Sequence, residues 1–150
     1  MKIGIIGTGN LGKSIAKGLI STNAITSLYL TKRNLNTIKE FKGYKKVYLT
    51  SDNSEAIQNS DIIIMAVQPA HLAQILKEIE PLLQENHIII STITGFSIAK
   101  IERIIGVDNF IVRAMPNTAI AVGKSMTCLC GNTKGLERIK VAEAFFNRLG

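Results

Sequence analysis

The chain opens with a strand-like segment that runs into a glycine-rich turn and then into a helical pattern. Residues 1–14 read M-K-I-G-I-I-G-T-G-N-L-G-K-S, and their isoleucines suit a strand that is buried on both faces. Residues 7–12 form a G-x-G-x-x-G, after which apolar residues recur at helical spacing as far as Ile20. This order of strand, turn and helix predicts a dinucleotide-binding fingerprint, with a plain strand-to-helix turn as the alternative.

Each glycine of the turn has a separate predicted role. Gly7 permits the tight turn, Gly9 lets backbone N–H groups approach a pyrophosphate, and Gly12 lets the helix pack closely against the strand. The helix begins near Asn10, so its free N–H groups and the positive end of its dipole are expected to hold the anion.

The end of the predicted second strand, residues 27–30, favours one nicotinamide cofactor over the other. A site for NAD carries a carboxylate here for the ribose 2′-hydroxyl, whereas a site for NADP carries cations for the 2′-phosphate. No carboxylate occurs between Lys2 and Glu40, and residues 31–34 read T-K-R-N. This pattern predicts NADP(H), with Arg33 as the best candidate because its planar fork matches phosphate oxygens. A solvated basic turn is the alternative.

Strand and helix patterns alternate along the rest of the chain. Further strands are predicted at 47–49, 61–67, 87–91, 110–113 and 124–130, and helices at 35–41, 52–57, 69–83, 98–105 and 136–149. The predicted fold class is α/β: a doubly wound, mostly parallel Rossmann-type sheet with helices on both faces, in one domain over residues 1–150.

Irregular motifs follow the predicted strands at their carboxyl ends, where sheets of this class bind their ligands. These motifs are residues 7–12, 31–34, 67–69, 92–95 and 115–118. We expect them to converge on one crevice.

The composition argues against nucleic-acid and membrane partners. The net charge is +7, but aromatic residues make up only 5% of the chain, and much of the basic excess falls in one stretch between Lys32 and Lys46. A local anionic ligand explains that stretch as well as a polynucleotide does, and no nucleic-acid partner is expected. No apolar run approaches the roughly 20 residues of a membrane span, and the first strand leaves no room for a signal peptide. We therefore expect a cytoplasmic protein with no membrane partner.

The two cysteines, Cys128 and Cys130, lie in an apolar, strand-like stretch and are expected to point the same way from one strand. They lack the additional ligands of a metal site, so no metal is predicted. Buried structural thiols in a reducing compartment are the favoured interpretation. His71 falls in the first turn of a helix and is predicted to be a surface residue rather than a base.

Four segments together resemble pyrroline-5-carboxylate reductase, which makes proline by NADPH-dependent reduction of a cyclic imine. They read G-I-I-G-T-G-N-L-G-K-S-I-A-K-G-L, D-I-I-I-M-A-V-Q-P, I-I-S-T-I-T-G-F-S-I-A-K-I-E and V-R-A-M-P-N-T-A. The resemblance covers the whole chain. Its most specific part is Arg113 together with the M-P-N-T at residues 115–118, since the G-x-G-x-x-G alone fits many families.

The resemblance implies a set of cofactor contacts. They are Ile6, Gly7, Thr8, Gly9, Asn10 and Leu11 at the pyrophosphate; Arg33 and Asn34 at the adenosine 2′-phosphate; Asn53 near the adenosine; Val67, Gln68, Pro69, Thr94 and Gly95 along the nicotinamide half; and Met115, Pro116 and Asn117 at its reacting face. Gly12 and Thr31 belong to the predicted cofactor site through the turn and the second strand end.

The protein's part in such a reaction is expected to be modest, because hydride chemistry belongs to the cofactor. Thr94, Asn117 and Thr118 are expected to bind the nicotinamide amide or orient the imine; Asn117 and Thr118 are the candidate catalytic residues, in a positioning role only. Plain loop packing is the alternative for each. Two residues depart from the family: Gln68 replaces the lysine of a V-K-P motif, and Thr94 replaces an alanine.

Members of the family continue into a helical domain that dimerises and binds the substrate carboxylate. This chain is expected to lack that domain and to supply the cofactor-binding half of an enzyme that reduces a small-molecule imine. The resemblance implies a homo-oligomer through the missing domain. We expect the face of the predicted 136–149 helix that carries Phe145 and Phe146 to meet it.

Two alternatives stay open. A deazaflavin-dependent NADP reductase has a similar first half, although the M-P-N-T segment argues against it. A non-catalytic NADP(H)-sensing module is the other, in which bound cofactor changes contacts with a partner.

Overall fold

The computed structural model describes the backbone of residues 1–150 and every side chain except that of Thr118. The strands are β1 (Lys2–Ile6), β2 (Ser27–Thr31), β3 (Val47–Thr50), β4 (Ile62–Met65), β5 (Ile88–Ser91), β6 (Phe110–Met115) and β7 (Cys128–Gly131). The α-helices are α1 (Asn10–Ser21), α2 (Asn53–Gln58), α3 (Pro69–Ile79), α4 (Ile98–Ile105), α5 (Thr133–Leu136) and α6 (Ile139–Asn147). Three 3-10 helices occupy Leu35–Phe41, Glu80–Leu82 and Thr118–Val122.

The strands form one sheet in the order β3-β2-β1-β4-β5-β6-β7. β1 to β6 run parallel to their neighbours, and β7 pairs antiparallel with β6. The predicted α/β class and the mostly parallel sheet are therefore confirmed. From β1 the chain first builds the sheet in one direction, through β2 and β3, and then continues in the other direction from β4, so the strand order reverses between β1 and β4. Ile5 of β1 pairs with Leu30 of β2 on one side and with Ile64 of β4 on the other. The loops after β1 and β4 consequently diverge and leave a crevice between them.

Helices cover both faces of the sheet, so the central strands are apolar on both sides. One core layer joins β1 to α1 and α6 through residues such as Ile5, Leu19 and Phe145. The other joins β4 to α2, α3 and α4 and includes Ile63 and Leu76. Each of these five side chains is fully buried.

Two predicted elements near the end of the chain differ from those observed. The predicted helix over 136–149 is two helices, because the α-helical path breaks at Glu137 and Arg138. The predicted strand over 124–130 begins only at Cys128, and the residues before it follow an unpredicted 3-10 helix that ends at Gly123 with φ +68°. A local hydrogen bond accounts for the separate start of α5: the Gly135 N–H donates to the Asn132 side-chain oxygen, which caps that helix.

Asp52 and Glu55 have the spacing of a capping box, but only the Asp52 side chain caps α2. The Asp52 carboxylate accepts a bond from the Ser54 N–H at 2.9 Å, but Glu55 accepts from the Thr50 hydroxyl at 2.7 Å instead of reaching back to the cap. The Ser54 hydroxyl and N–H hold the pKa of Asp52 below its usual value. The folded state thus favours the carboxylate, and this stabilisation is lost as the pH falls through the folded-state pKa.

The proposal that Phe145 and Phe146 face a missing partner is wrong. Both side chains are buried, at 0% and 5% exposure, and they pack edge to face with ring centroids 4.9 Å apart. They point inward because α6 lies against the sheet, leaving Leu136 and Val141 exposed instead.

We expect Phe145→Ala to lower the free energy of unfolding by about 3–5 kcal/mol, because it opens a cavity in a close-packed layer. Urea denaturation measures the loss. Leu136→Ala is the control: its side chain is 58% exposed, and its effect should stay within about 0.5 kcal/mol. Equal effects of the two variants would contradict the packing of α6.

Candidate functional site

A cleft of about 540 Å³ opens at the carboxyl ends of β1, β2 and β4, at the point where the strand order reverses. Its size lies within the range of small-molecule sites, roughly 300–1,000 Å³. Its walls are formed by the turn after β1, the end of β2, the loops after β3 and β4, and one face of α3. The lining residues are Ile6, Gly7, Gly9, Thr31, Lys32, Arg33, Ser51, Asn53, Ala66, Val67, Gln68, His71, Gln74, Ile75 and Glu78.

The three glycines of the turn differ in what surrounds them. Gly7 has φ +82°, and a Cβ there would lie 2.3 Å from Val67 Cγ1. A Cβ on Gly12 would lie 3.0 Å from the Gly7 carbonyl oxygen, so the close approach of helix and strand predicted for Gly12 is confirmed. A Cβ on Gly9 would meet nothing within 4 Å. Packing within the chain therefore does not require a glycine at position 9, and the space above the turn is open.

The first turn of α1 is suited to an anion. Gly9 is the N-cap of this helix and provides no side-chain cap, and the first turn has no acidic residue. Its first N–H groups have no partner within the helix and lie at the positive end of the dipole. The Thr8 hydroxyl beside them is buried and finds no hydrogen-bond partner in the described part of the chain. A cradle of donors with room above Gly9 fits a pyrophosphate.

Two hydrogen bonds join the glycine turn after β1 to the end of β2. The Gly7 N–H donates to the Thr31 hydroxyl at 3.1 Å, and the Thr8 N–H donates to the Thr31 carbonyl at 2.9 Å. Lys32 and Arg33 follow directly on the same wall. The end of β2 is thereby held next to the glycine turn, and two cations stand beside it.

The carboxylate nearest in sequence to these cations is already paired. Glu40 accepts from Lys13 Nζ at 2.8 Å and lies 3.6 Å from Lys17 Nζ. The hydrogen bond from Lys13 is the main reason that the pKa of Glu40 lies below its usual value. Arg33 makes no salt bridge with a described side chain, so its guanidinium has no competing carboxylate.

The structure brings eight of the predicted site residues into the cleft lining. They are Ile6, Gly7, Gly9, Thr31, Arg33, Asn53, Val67 and Gln68. Four more lie immediately beneath or beside the turn: Thr8 is buried, and Asn10, Leu11 and Gly12 form the first turn of α1. Asn34 is outside the lining because its carboxamide oxygen accepts from the Asn36 N–H at 3.1 Å and caps a 3-10 helix.

Of the residues predicted for the nicotinamide half, Val67 and Gln68 line this cleft, whereas the others, which follow β4, β5 and β6, lie outside its lining. Pro69 begins α3, and Thr94 and Gly95 form an exposed turn in which Gly95 has φ +78°. Met115 ends β6 and is 40% exposed, with Pro116 directly after it.

Asn117 already serves a structural role. Its side-chain oxygen accepts from the Ala119 N–H at 3.0 Å, and its own N–H donates to the Ser125 hydroxyl at 3.2 Å. The side chain of Thr118 lies outside the described residues.

Sequence reasoning missed one whole wall of the cleft. His71, Gln74, Ile75 and Glu78 stand on one face of α3, at the i, i+3, i+4, i+7 spacing of a helical stripe. His71 is exposed as predicted, but it faces the cleft. The available signal was the core stripe of the same helix, Leu72, Leu76 and Ile79, which leaves the neighbouring face for the cleft. Lys32, Ser51 and Ala66 were not among the predicted site residues either.

A second, more polar cavity of about 300 Å³ lies at the amino ends of the strands. Tyr29 and Tyr48 stack beside it with ring centroids 4.9 Å apart, and His87 lines it as well. Burial is the main reason that the pKa of Tyr29 lies above its usual value. This cavity is at the edge of the sheet opposite to that where ligands of parallel sheets bind.

The sheet order, the reversal point and the glycine cradle define the dinucleotide-binding class of α/β proteins. Residues 2–95 match the model of the family described as "NADP oxidoreductase coenzyme F420-dependent", and the chain belongs to this family.

Individual relatives give a more specific comparison than the family model does. The chain is 46% identical over 131 residues to pyrroline-5-carboxylate reductase 1 of Dictyostelium discoideum, and 42% identical over 135 residues to pyrroline-5-carboxylate reductase 2 of the same organism. It also superimposes on a crystal structure of the Plasmodium falciparum pyrroline carboxylate reductase with NADP bound, at a TM-score of 0.86 and 30% identity. The resemblance stated from the sequence is confirmed.

The matches cover most of this chain but only part of each relative. They take in 85% and 87% of the chain for the two Dictyostelium proteins, and 23% and 45% of those proteins. The Plasmodium structure is matched over 100% of the chain and 55% of its own length. The chain thus spans about half or less of the relatives that it matches. In the described part of the chain, no helix has the length and apolar character needed to cross a bilayer.

We expect Gly7→Ala to destabilise the fold by more than about 1 kcal/mol, because an alanine at positive φ is strained and its methyl would meet Val67. Gly9→Ala is the matched variant in the same turn; its φ is −84° and its surroundings are open. Its thermal midpoint should match that of the parent chain. Similar losses in the two variants would show that Gly9 is a packing residue after all.

Proposed function

We propose that this chain binds NADPH and forms the cofactor-binding half of a pyrroline-5-carboxylate reductase, which reduces 1-pyrroline-5-carboxylate to L-proline. The observation that carries the proposal is the glycine cradle: open space above Gly9 and an uncapped helix N-terminus, with the cations of the β2 end alongside. The names of the relatives support the reaction, and the NADP in the Plasmodium structure supports the cofactor.

The residues of the cleft fit the cofactor part by part. The first turn of α1 would hold the pyrophosphate, as helix N-termini hold anions. Arg33 and Lys32 would meet the adenosine 2′-phosphate, and Asn53 would lie near the adenosine. The face of α3 with His71 and Gln74 would close the opposite side. Gln68 supplies an uncharged amide where the family has a cation.

When bound, the cofactor supplies the hydride for the C=N carbon. A protonated C=N group accepts hydride readily, so the chain need not provide a strong base; its task is to position the two reactants. Thr94, Asn117 and Thr118 are the candidates for that task at the ends of β5 and β6. The Asn117 oxygen is committed to the Ala119 N–H, which leaves its amide N–H groups as the donors.

The substrate site and the oligomer belong to the proposal as well. We propose that the imine carboxylate is bound, and that a homo-oligomer is formed, by a further domain; support for it comes from the length of the relatives, of which this chain matches only 45% and 55% in two cases. Residues 1–150 would then be a separate NADP-binding Rossmann domain of a cytoplasmic enzyme.

Cofactor choice tests the role of Arg33. We expect NADPH to bind more tightly than NADH, and Arg33→Ala to weaken NADPH binding about ten- to a hundredfold, because a hydrogen bond to a charged group is worth roughly 1.5–3 kcal/mol. Isothermal titration calorimetry of both cofactors measures this.

Two variants serve as controls in that titration. Lys42→Ala removes an exposed cation outside the cleft lining and should leave the preference intact. Gly9→Ala should abolish the binding of both cofactors, since its methyl would occupy the space above the turn. Equal affinities for NADPH and NADH in the parent chain would contradict the proposed phosphate site.

Measuring imine-dependent NADPH oxidation tests whether this chain needs a second domain for catalysis. Hydride transfer requires the acceptor carbon about 3–3.5 Å from its donor, and much of the rate comes from that positioning. We expect residues 1–150 alone to bind NADPH but to oxidise it negligibly in the presence of pyrroline-5-carboxylate. Fusion to the C-terminal domain of a relative should restore imine-dependent NADPH oxidation and oligomerisation. Saturable imine reduction by the isolated chain would show that it carries its own substrate site.

A further inference from the structure

Strand β7 presents its two cysteines to solvent, so the predicted buried thiols are wrong. Cys128 and Cys130 are both exposed free thiols, while Leu129 between them packs against the core layer that holds α1 and α6. Successive side chains of a strand point to opposite faces. Both cysteines therefore lie on the other face of the sheet, at its edge.

The register of β6 and β7 adds a third sulfur to this face. Met115 pairs with Cys128, and Arg113 pairs with Cys130. The neighbouring pair, Ala114 and Leu129, belongs to the α1 and α6 layer, which fixes Met115 on the same face as the thiols. Met115 is 40% exposed, so its thioether is accessible.

We propose that the thiolates of Cys128 and Cys130 and the thioether of Met115 form a binding site for a monovalent soft cation, Cu(I). Soft sulfur ligands bind Cu(I), zinc and iron–sulfur clusters, but zinc sites use thiolate, imidazole or carboxylate ligands, usually four of them, and not a thioether. In the described part of the chain, no three His, Cys, Asp or Glu side chains are grouped to hold a metal ion. A site of two thiolates and one thioether thus favours Cu(I) over zinc.

The spacing of the three residues suits shared coordination. Paired side chains on adjacent antiparallel strands have Cβ atoms about 4.5–5.5 Å apart, and diagonal neighbours are about 7–8 Å apart. Cys128 and Cys130 are separated by two residues of a strand, about 6.8 Å. With the zinc–thiolate distance of about 2.3 Å as a guide, two sulfurs that share one ion lie at most about 4.6 Å apart. Rotation about χ1 of both cysteines brings the sulfurs inward over that difference.

The charge of the complex also matches its surroundings. Two thiols release two protons to solvent and bind one Cu(I), giving a complex of net charge −1, with the thioether donating an electron pair and no electron transferred. Arg113, opposite Cys130, provides a cation on this face. Its Nε is buried and finds no hydrogen-bond partner in the described part of the chain.

Met126 provides a matched control. It is 81% exposed and lies two residues before Cys128. An extended segment would place it about 13–14 Å from Cys130, so it cannot share an ion with both thiolates. It has the same side chain as Met115 but should not be a ligand.

The test is an anaerobic titration of the reduced 150-residue chain with Cu(I), in competition with the chromophoric chelator bicinchoninate. We expect one Cu(I) per chain and a sulfur-only first shell in X-ray absorption spectra. Loss of an outer-shell partner already weakens metal sites about 10- to 100-fold, so Cys128→Ser and Cys130→Ser should each cost at least about 100-fold. Met115→Leu should weaken Cu(I) binding measurably, and Met126→Leu should not.

Far-UV circular dichroism checks that each variant folds, which is expected for exposed positions. Unchanged Cu(I) affinity in either cysteine variant would overturn the site. Weakening by Met126→Leu with none from Met115→Leu would overturn the assignment of the third ligand. Zn(II) binding as tight as that of Cu(I), or an X-ray absorption shell with nitrogen or oxygen ligands, would overturn the identity of the metal. None of these outcomes depends on NADPH binding.

Discussion

The tight turn at Gly7 is the constraint on which the rest of the structure depends. The backbone there adopts φ +82° with Val67 so close that even a methyl group would not fit. The end of β1 is thereby held against the end of β4, and the Gly7 N–H is bound to Thr31 on β2. Three strand ends are thus fixed at one point, and α1 must start there. The cleft results from this junction rather than from any one loop.

Much of the fold was predictable because its signals are local. The isoleucines of β1, β4 and β5 are buried on both faces, and few structures other than a covered parallel strand accommodate such runs. The end of the chain was less predictable because its structure depends on contacts between distant residues. Phe145 and Phe146 form an apolar helix face in the sequence, and only the position of α6 on the sheet decides that this face points inward. Cys128 and Cys130 show the reverse: an apolar context suggested burial, but β7 is an edge strand and only Leu129 faces the core.

The site was predictable to the extent that it lies in loops. Glycines and polar residues that interrupt apolar runs mark the ends of strands, and these signals predicted Gly9 and Arg33. Asn53 was predicted only from the family resemblance. The α3 wall was missed because exposed polar residues of a helix resemble any solvated face. Asn34 illustrates a different limit. Its residue type suits a phosphate ligand and a helix cap equally, and the structure uses it as a cap.

Because β7 runs antiparallel to β6, it brings together side chains that a parallel neighbour of β6 would not bring together. In an antiparallel pair, the first residues of one strand lie beside the last residues of the other, so Cys128 pairs with Met115 at the carboxyl end of the sheet. A parallel partner for β6 would have reached that edge only after a crossover connection, with a different register. The antiparallel β7 therefore brings three sulfur side chains together close to the strand ends that carry the M-P-N segment. An ion bound there would lie beside residues that are proposed to position the nicotinamide, on the same face as the half-buried Arg113.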